Sequence, residues 1–122
     1  MIAMTSLNYV LNGVLVTGAQ DGGLIKWAGS SAGKPIGAKQ GGHSDAIWAI
    51  EKGKGQTFVT GGNDGKLIVW NAQFTPQQTI DMAKVVGLSP GIRSIDVSQT
   101  TTNMLVGTRG SDVVEINAKG QL

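Results

Sequence analysis

The sequence predicts an all-β fold made of three repeated units, each with about four short antiparallel strands. Two observations carry this prediction. Nineteen of the 122 residues are glycine, about twice the usual share of ~7%, and they are spread among apolar runs, which indicates many tight turns. In addition, an apolar run, an Asp-Gly turn and a second apolar run recur along the chain at a regular spacing.

The repeat is visible when two twelve-residue segments are aligned. Residues 16–27 and 59–70 lie 43 positions apart and share eight identities. A third copy, residues 105–116, lies a further 46 positions along and keeps the apolar pattern more than the identities. One domain of this length therefore divides into three units, which are residues 1–40, 41–82 and 83–122.

The second unit shows the strand pattern most clearly. Its predicted strands lie at residues 47–52, 57–61, 66–71 and 77–81, and the turns between them are rich in Gly, Asn, Asp and Pro. The third unit leaves only residues 118–122 for a fourth strand, so eleven strands are predicted rather than twelve. No stretch has the 3.6-residue periodicity that would indicate a helix.

The ordered motifs of the second unit resemble a WD repeat. Gly42-His43 precedes the first strand, Val59-Thr60-Gly61 lies in the second, and Asn63-Asp64-Gly65 turns into Leu67-Ile68-Val69-Trp70. WD repeats form the four-stranded blades of β-propellers, which pack side by side around an axis. The resemblance therefore implies three blades of a partial propeller.

The resemblance also implies a structural role for four polar or aromatic residues of the second unit. In a WD blade, the Trp70 indole N–H would donate a hydrogen bond to Thr60, the Thr60 hydroxyl would donate to His43, and the His43 imidazole would donate to Asp64. Such a hydrogen-bond tetrad satisfies polar groups whose burial without partners would cost ~1–3 kcal/mol each. We therefore expect the tetrad to pin the strands of this blade to its turns.

The other two units keep less of this set. The first unit retains a threonine, an aspartate and a tryptophan at Thr17, Asp21 and Trp27. The residues at these positions of the third unit are Val106, Gly110 and Ile116. We therefore expect the third blade to depend on apolar packing and its backbone ladder, and to be less rigid.

A narrower resemblance involves the third unit. Residues 42–50, residues 58–65 and above all Gly107-Thr108-Arg109-Gly110-Ser111-Asp112 resemble the echinoderm microtubule-associated protein-like family of WD-repeat proteins. That resemblance implies a non-enzymatic scaffold that binds tubulin or microtubules, with a cytoplasmic, cytoskeletal location. A generic WD-repeat adaptor that binds a peptide or a regulatory complex stays open as an alternative.

Three positions are candidates for partner contact. Trp48 follows the first apolar residue of an inner strand, a position that the WD pattern leaves free, and Thr5 and Arg93 align with it. Tryptophan and arginine are enriched among residues that dominate binding energy, so Trp48 and Arg93 are the leading candidates. Arg109, on the turn of the third unit, is a weaker one. Two alternatives stay open, namely that Trp48 packs between blades and that Arg109 is a solvated charge.

The composition argues against several classes of partner. Ten basic and eight acidic residues give a net charge of +2, and the cations are scattered, so we expect no nucleic-acid partner. No apolar run approaches the ~20 residues that span a bilayer, so we expect no membrane association. The absence of cysteine fits a cytoplasmic protein.

The competing function class is an enzyme, for instance a hydrolase that uses His43 with Asp45 or Asp64. His43 is the single histidine. One histidine without cysteine or a converging pair of carboxylates is a poor basis for catalysis or metal binding. We therefore predict no catalytic residue, no metal and no cofactor.

Three blades alone do not close a propeller ring, which typically needs about four to eight. The two outer blade faces would then expose apolar side chains to water. Either the remaining blades belong to a longer propeller, or two copies associate as a homodimer that forms a six-bladed ring. Protein partners are expected in both cases, and the sequence leaves the choice open.

Overall fold

The computed structural model describes residues 4–11, 14–28, 35–39, 42–53, 55–71, 73, 75–86, 90–98, 100–101, 103–110, 113–117 and 119–121. Within them, eleven strands form three antiparallel sheets, one in each repeated unit. The all-β prediction is confirmed.

The three sheets are built in the same way, with strands that follow one another in sequence lying side by side. The first sheet contains β1 (Met4–Leu11), β2 (Val14–Ala19), β3 (Leu24–Ala28) and β4 (Pro35–Lys39). The second contains β5 (Ile47–Lys52), β6 (Phe58–Gly62), β7 (Lys66–Trp70) and β8 (Pro76–Asp81). The third contains β9 (Ile92–Val97), β10 (Met104–Thr108) and β11 (Val113–Ile116).

One short element was not expected from the sequence. A single helical turn, α1 (Ala83–Val86), follows β8, and the Asp81 side chain accepts the Ala83 N–H at 3.1 Å where the turn begins. The sequence shows no helical periodicity here, because four residues are too few to display it. Within the described part of the chain, no helix is long and apolar enough to cross a membrane.

The Asp-Gly turns explain why the repeated sequence folds into hairpins. Asp21 accepts the N–H of Gly23 at 3.0 Å between β2 and β3, and Asp64 accepts that of Lys66 at 3.1 Å between β6 and β7. The glycine after each aspartate has a positive φ, 86° at Gly22 and 79° at Gly65, which other residues adopt only with strain. The same local chemistry therefore reverses the chain in both units.

Two apolar clusters lie between neighbouring sheets. The cluster between the first and second sheets consists of Val16, Leu24, Ile47, Ile50, Phe58, Ile68 and Trp70. The cluster between the second and third sheets consists of Ala49, Val59, Leu67, Ile80, Met82, Ile92, Ile95, Met104, Val106 and Ile116. Since Leu67 and Ile68 alternate between the two clusters, the second sheet is covered on both faces.

The first strands of the three sheets form the inner side of this arrangement, since β5 contacts both β1 and β9. Close approach of the second and third sheets depends on Gly61 of β6. A methyl group at Gly61 would collide with Ile92 and would lie 3.0 Å from the end of Ile95, both on β9. The sheets therefore pack face to face as successive blades.

Candidate functional site

Four side chains of the second sheet form one hydrogen-bonded chain. The Trp70 indole N–H donates to the Thr60 hydroxyl oxygen at 2.8 Å, and Thr60 lies 2.6 Å from Nε2 of His43. The other ring nitrogen, Nδ1, lies 3.0 and 3.1 Å from the carboxylate oxygens of Asp64. Because a carboxylate only accepts, we assign the proton to Nδ1, and Nε2 then accepts the Thr60 hydroxyl.

This tetrad ties separate segments of the blade together. Asp64 also accepts the backbone N–H groups of Ser44 and Lys66, each at 3.1 Å. Burial alone would raise the pKa of the Asp64 carboxyl, but the hydrogen bond from His43 and the two backbone donors hold this pKa below its ordinary value. The segment before β5 is thereby joined to the turn between β6 and β7.

The placement of His43 bears on the hydrolase alternative. The residue is only 2% exposed, and both of its ring nitrogens have partners within the blade. A general base must reach the proton that it removes, whereas this imidazole is enclosed, so the geometry favours a structural role. Among the described residues, no group of three or more His, Asp or Glu side chains is placed to hold a metal ion.

The matching positions of the other two blades differ from this arrangement. In the first blade, the Thr17 hydroxyl donates to the Ile25 carbonyl at 3.5 Å, and Asp21 accepts the Gly23 N–H in the turn. The side chain of Trp27 lies outside the described residues. In the third blade, Val106 and Ile116 are buried in the apolar cluster. Gly110 is exposed on the turn.

The two leading candidate contact residues, Trp48 and Arg93, lie at β-bulges, which were not predicted from the sequence. Ile47 and Ala49 pair with consecutive residues of β6, so Trp48 between them is paired with no residue of β6. In the same way, Arg93 of β9 is paired with no residue of β10, and Thr5 of β1 is paired with no residue of β2. A bulge re-aims the side chain of the extra residue, which explains why the same position of each inner strand is set apart.

The structure brings Trp48 and Arg93 together across the boundary of two blades. Trp48 is 38% exposed, and the Arg93 guanidinium carbon lies over its ring, 5.1 Å from the ring centroid. This geometry is that of a cation–π interaction. Trp48 therefore contacts the neighbouring blade at its rim, and part of its ring is left accessible.

Arg109 belongs to the same boundary. Its guanidinium donates to the Asn63 side-chain oxygen at 3.1 Å, and the Asn63 amide donates to Asp45 at 3.0 Å. The Asn63 hydrogen bond, together with the Ala46 N–H, holds the pKa of the Asp45 carboxyl below its ordinary value. From the sequence, Asn63 is predicted only as a turn residue, because its partner Arg109 lies on another blade.

We call these five side chains the seam rim: Asp45, Trp48, Asn63, Arg93 and Arg109. They come from the second and third blades. Within each blade, a backbone hydrogen bond connects two of the segments that bear these side chains. The Asn63 N–H bonds the Ala46 carbonyl at 2.8 Å, and the Arg109 N–H bonds the Gly91 carbonyl at 2.7 Å. The seam rim is thus an aromatic and charged surface whose backbone segments are held by hydrogen bonds.

Solved propeller structures are similar to this arrangement. No protein-family model matches the chain. The WD40 repeats of RRP9 superpose with a TM-score of 0.81 at 17% identity, over 99% of this chain and 37% of that one. The β-propeller domain of Swd1 from Myceliophteria thermophila gives 0.75 at 14%, over 98% and 37%. A chain of the mitotic checkpoint complex gives 0.70 at 21%, over 90% and 33%.

The fold is a partial β-propeller of the WD-repeat type. The prediction of fold class from the repeats is confirmed. The chain spans only about a third of the length of each of these three structures, and at these identities the similarity concerns the fold. None of the three names the echinoderm microtubule-associated protein-like family, so that narrower resemblance stays a prediction.

Proposed function

We propose that the chain is a non-enzymatic scaffold for protein–protein interaction and that the seam rim is its contact surface. The observation that carries the proposal is the exposed Trp48 with Arg93 over its ring. Tryptophan and arginine dominate binding energy at many interfaces, and they do so best where neighbouring structure holds them in place. One of the similar chains comes from a mitotic checkpoint complex, which is in line with a role in assemblies.

Tubulin or microtubules are the first partner to test. The support is the resemblance of the Gly107–Asp112 stretch and of residues 42–50 and 58–65 to the echinoderm microtubule-associated protein-like family. A cytoplasmic, cytoskeletal location follows from the same resemblance. A generic adaptor for a peptide or a regulatory complex remains the alternative, and it would use the same surface.

Co-sedimentation tests both parts of this proposal. The purified chain is centrifuged with and without polymerised microtubules, and gel filtration with unpolymerised tubulin is run alongside. We expect wild-type protein in the microtubule pellet and a marked loss for Trp48→Ala and for Arg93→Gln. Lys84→Gln is the matched control, because Lys84 is exposed on α1 and its removal changes the net charge by the same amount.

Each outcome separates the partner from the surface. If the wild-type chain binds neither microtubules nor tubulin, the tubulin assignment is wrong and the adaptor alternative gains. If binding is present and neither seam-rim variant weakens it more than Lys84→Gln does, the contact surface has been misplaced. Circular dichroism of each variant shows whether a loss of binding reflects a loss of fold.

A further inference from the structure

Among the described residues, the two arginines of the seam rim carry positive charge that their neighbours offset only in part. Arg93 is exposed and lies over Trp48, and within the described part of the chain its guanidinium forms no ion pair. The ring restricts the position of the side chain, so less conformational entropy is lost when the guanidinium binds a ligand. A guanidinium donates from its edges, which a ring over its face leaves accessible.

Arg109 is held against the backbone close by. Its side chain crosses Gly91, since a Cβ at that glycine would lie 2.6 Å from Cδ of Arg109. Its Nη1 donates to Asn63 at 3.1 Å. Gly91 is separated from Arg93 by Ile92 alone, so both arginines belong to the segment where β9 begins.

Asp45, the acidic residue of the seam rim, offsets these charges only in part. One oxygen of Asp45 accepts the Ala46 N–H at 2.7 Å, and the other accepts the Asn63 amide at 3.0 Å. Both donors are neutral, and Asn63 stands between Asp45 and Arg109. Within the described part of the chain, the seam rim therefore has two positive charges and one negative charge, and each oxygen of that carboxylate already accepts one hydrogen bond.

We propose that the seam rim binds an acidic segment of a partner protein. One carboxylate of that segment pairs with Arg93, a second lies near Arg109, and an apolar side chain covers the accessible part of Trp48. Guanidinium and carboxylate match in geometry as well as in charge, and such pairs are among the stronger hydrogen bonds in proteins. The proposal rests on the proposed function, because it names the partner chemistry of the same surface.

The amount and distribution of charge favour a carboxylate segment over a nucleic acid. The whole chain has a net charge of only +2, and nucleic-acid binding depends on many phosphate contacts along an extended basic track. A single aromatic ring with two arginines suits a few residues of peptide. Phosphopeptide and oligonucleotide binding are therefore outcomes that would overturn the proposal.

Fluorescence anisotropy of labelled peptides tests the inference with the full 122-residue chain. The probe is a peptide of alternating glutamate and leucine, and the reference is the same peptide with glutamine in place of every glutamate. We expect the glutamate peptide to bind at least about tenfold more tightly, as one charge-assisted hydrogen bond provides. The preference should shrink as salt is added, because the rim is exposed.

Variants then locate the binding site. Arg93→Gln should weaken binding of the glutamate peptide about tenfold, whereas Lys84→Gln should stay within about twofold. Arg93→Lys keeps the charge but not the planar fork, so an intermediate loss is expected. Trp48→Phe keeps an aromatic surface for the apolar side chain and should retain more binding than Trp48→Ala.

Several results would overturn the proposal. These are equal binding of the glutamine peptide, an equal loss in Lys84→Gln and Arg93→Gln, or tighter binding of a phosphoserine peptide or an oligonucleotide. The result is separable from the co-sedimentation test. If microtubules bind the chain through Trp48 but the glutamate peptide does not bind, the scaffold proposal stands and the acidic partner chemistry is wrong.

Discussion

The second and third blades have the same strand plan, but different interactions hold their third strands. In the second blade, a hydrogen-bonded chain runs from Trp70 on β7 to Asp64 on the preceding turn. In the third blade, Ile116 on β11 and Val106 on β10 are both buried in the apolar cluster instead. The same blade fold is therefore held by a buried hydrogen-bond chain in one unit and by apolar packing in the next.

The turn after the third strand is the same in both blades. The side-chain oxygen of Asn71 accepts N–H groups two and four residues ahead at 3.0 and 2.9 Å. The side-chain oxygen of Asn117 does so at 2.9 and 3.0 Å. Because this turn forms with and without a tetrad, it is a local property of one asparagine. The tetrad has a separate task, which is to tie the segment before β5 to the blade.

Removal of Trp70 should have the largest effect on stability. Trp70→Ala should lower the free energy of unfolding by about 3–5 kcal/mol, since the indole is fully buried and stacks on Phe58 with ring centroids 6.2 Å apart. Urea denaturation followed by circular dichroism measures the change. If Trp70→Ala does not fold, Trp70→Phe keeps an aromatic ring but loses the donor to Thr60 and the part of the indole that lies against Gly42, and it should cost at least about 1–2 kcal/mol. No measurable cost in Trp70→Phe would contradict the tetrad's contribution.

An exchange of the matching residues between the blades sharpens the comparison. Thr60→Val removes the partner of both the Trp70 indole and His43, and Val106→Thr places a hydroxyl in an apolar cluster. Each change should cost about 1–3 kcal/mol in urea denaturation, although each introduced residue is the native one in the other blade. If either exchange left the free energy of unfolding unchanged, threonine and valine would be interchangeable at this position, and the second blade would not depend on its tetrad in the way that the third depends on apolar packing.

The features that the sequence predicted well are those with local causes. The strands of the second unit end within one residue of their predicted bounds, since apolar alternation and Asp-Gly turns act over a few residues. The bulge at Trp48 and the contact of Arg109 with Asn63 were not predicted. Both depend on contacts with residues that are distant in sequence, on the paired strand or on an adjacent blade, and a local sequence pattern does not predict such contacts.

The two blades should also respond differently to acid, because only the second has a carboxylate in this position. The pKa of Asp64 is lowered in the folded protein, so the unfolded chain binds the proton more readily. The stabilisation is complete above the unfolded pKa of ~3.9 and is lost as pH falls through the lower, folded value. Unfolding measured from neutral pH downward should show a shallower loss in Asp64→Asn.

Asp45→Asn is the control for that experiment. The pKa of Asp45 is lowered as well, but its carboxyl lies on the surface, where water screens its interactions. Asp45→Asn should therefore follow the wild-type acid profile more closely than Asp64→Asn does. If the two variants behave alike, the tetrad is not the origin of the acid sensitivity.

The smallest effect on folding, but a clear effect on association, is expected at the outward face of the third blade. Leu105 is 46% exposed and Val113 is 73% exposed, and exposed apolar patches tend to be covered by a partner. Substitution of either by lysine should change the free energy of unfolding by less than about 0.5 kcal/mol. Light scattering over a concentration series should show the wild-type mass rising towards that of a dimer and the lysine variants staying lower. A wild-type chain that remains monomeric would mean that a second copy is not what covers this face, and would leave further blades as its partner.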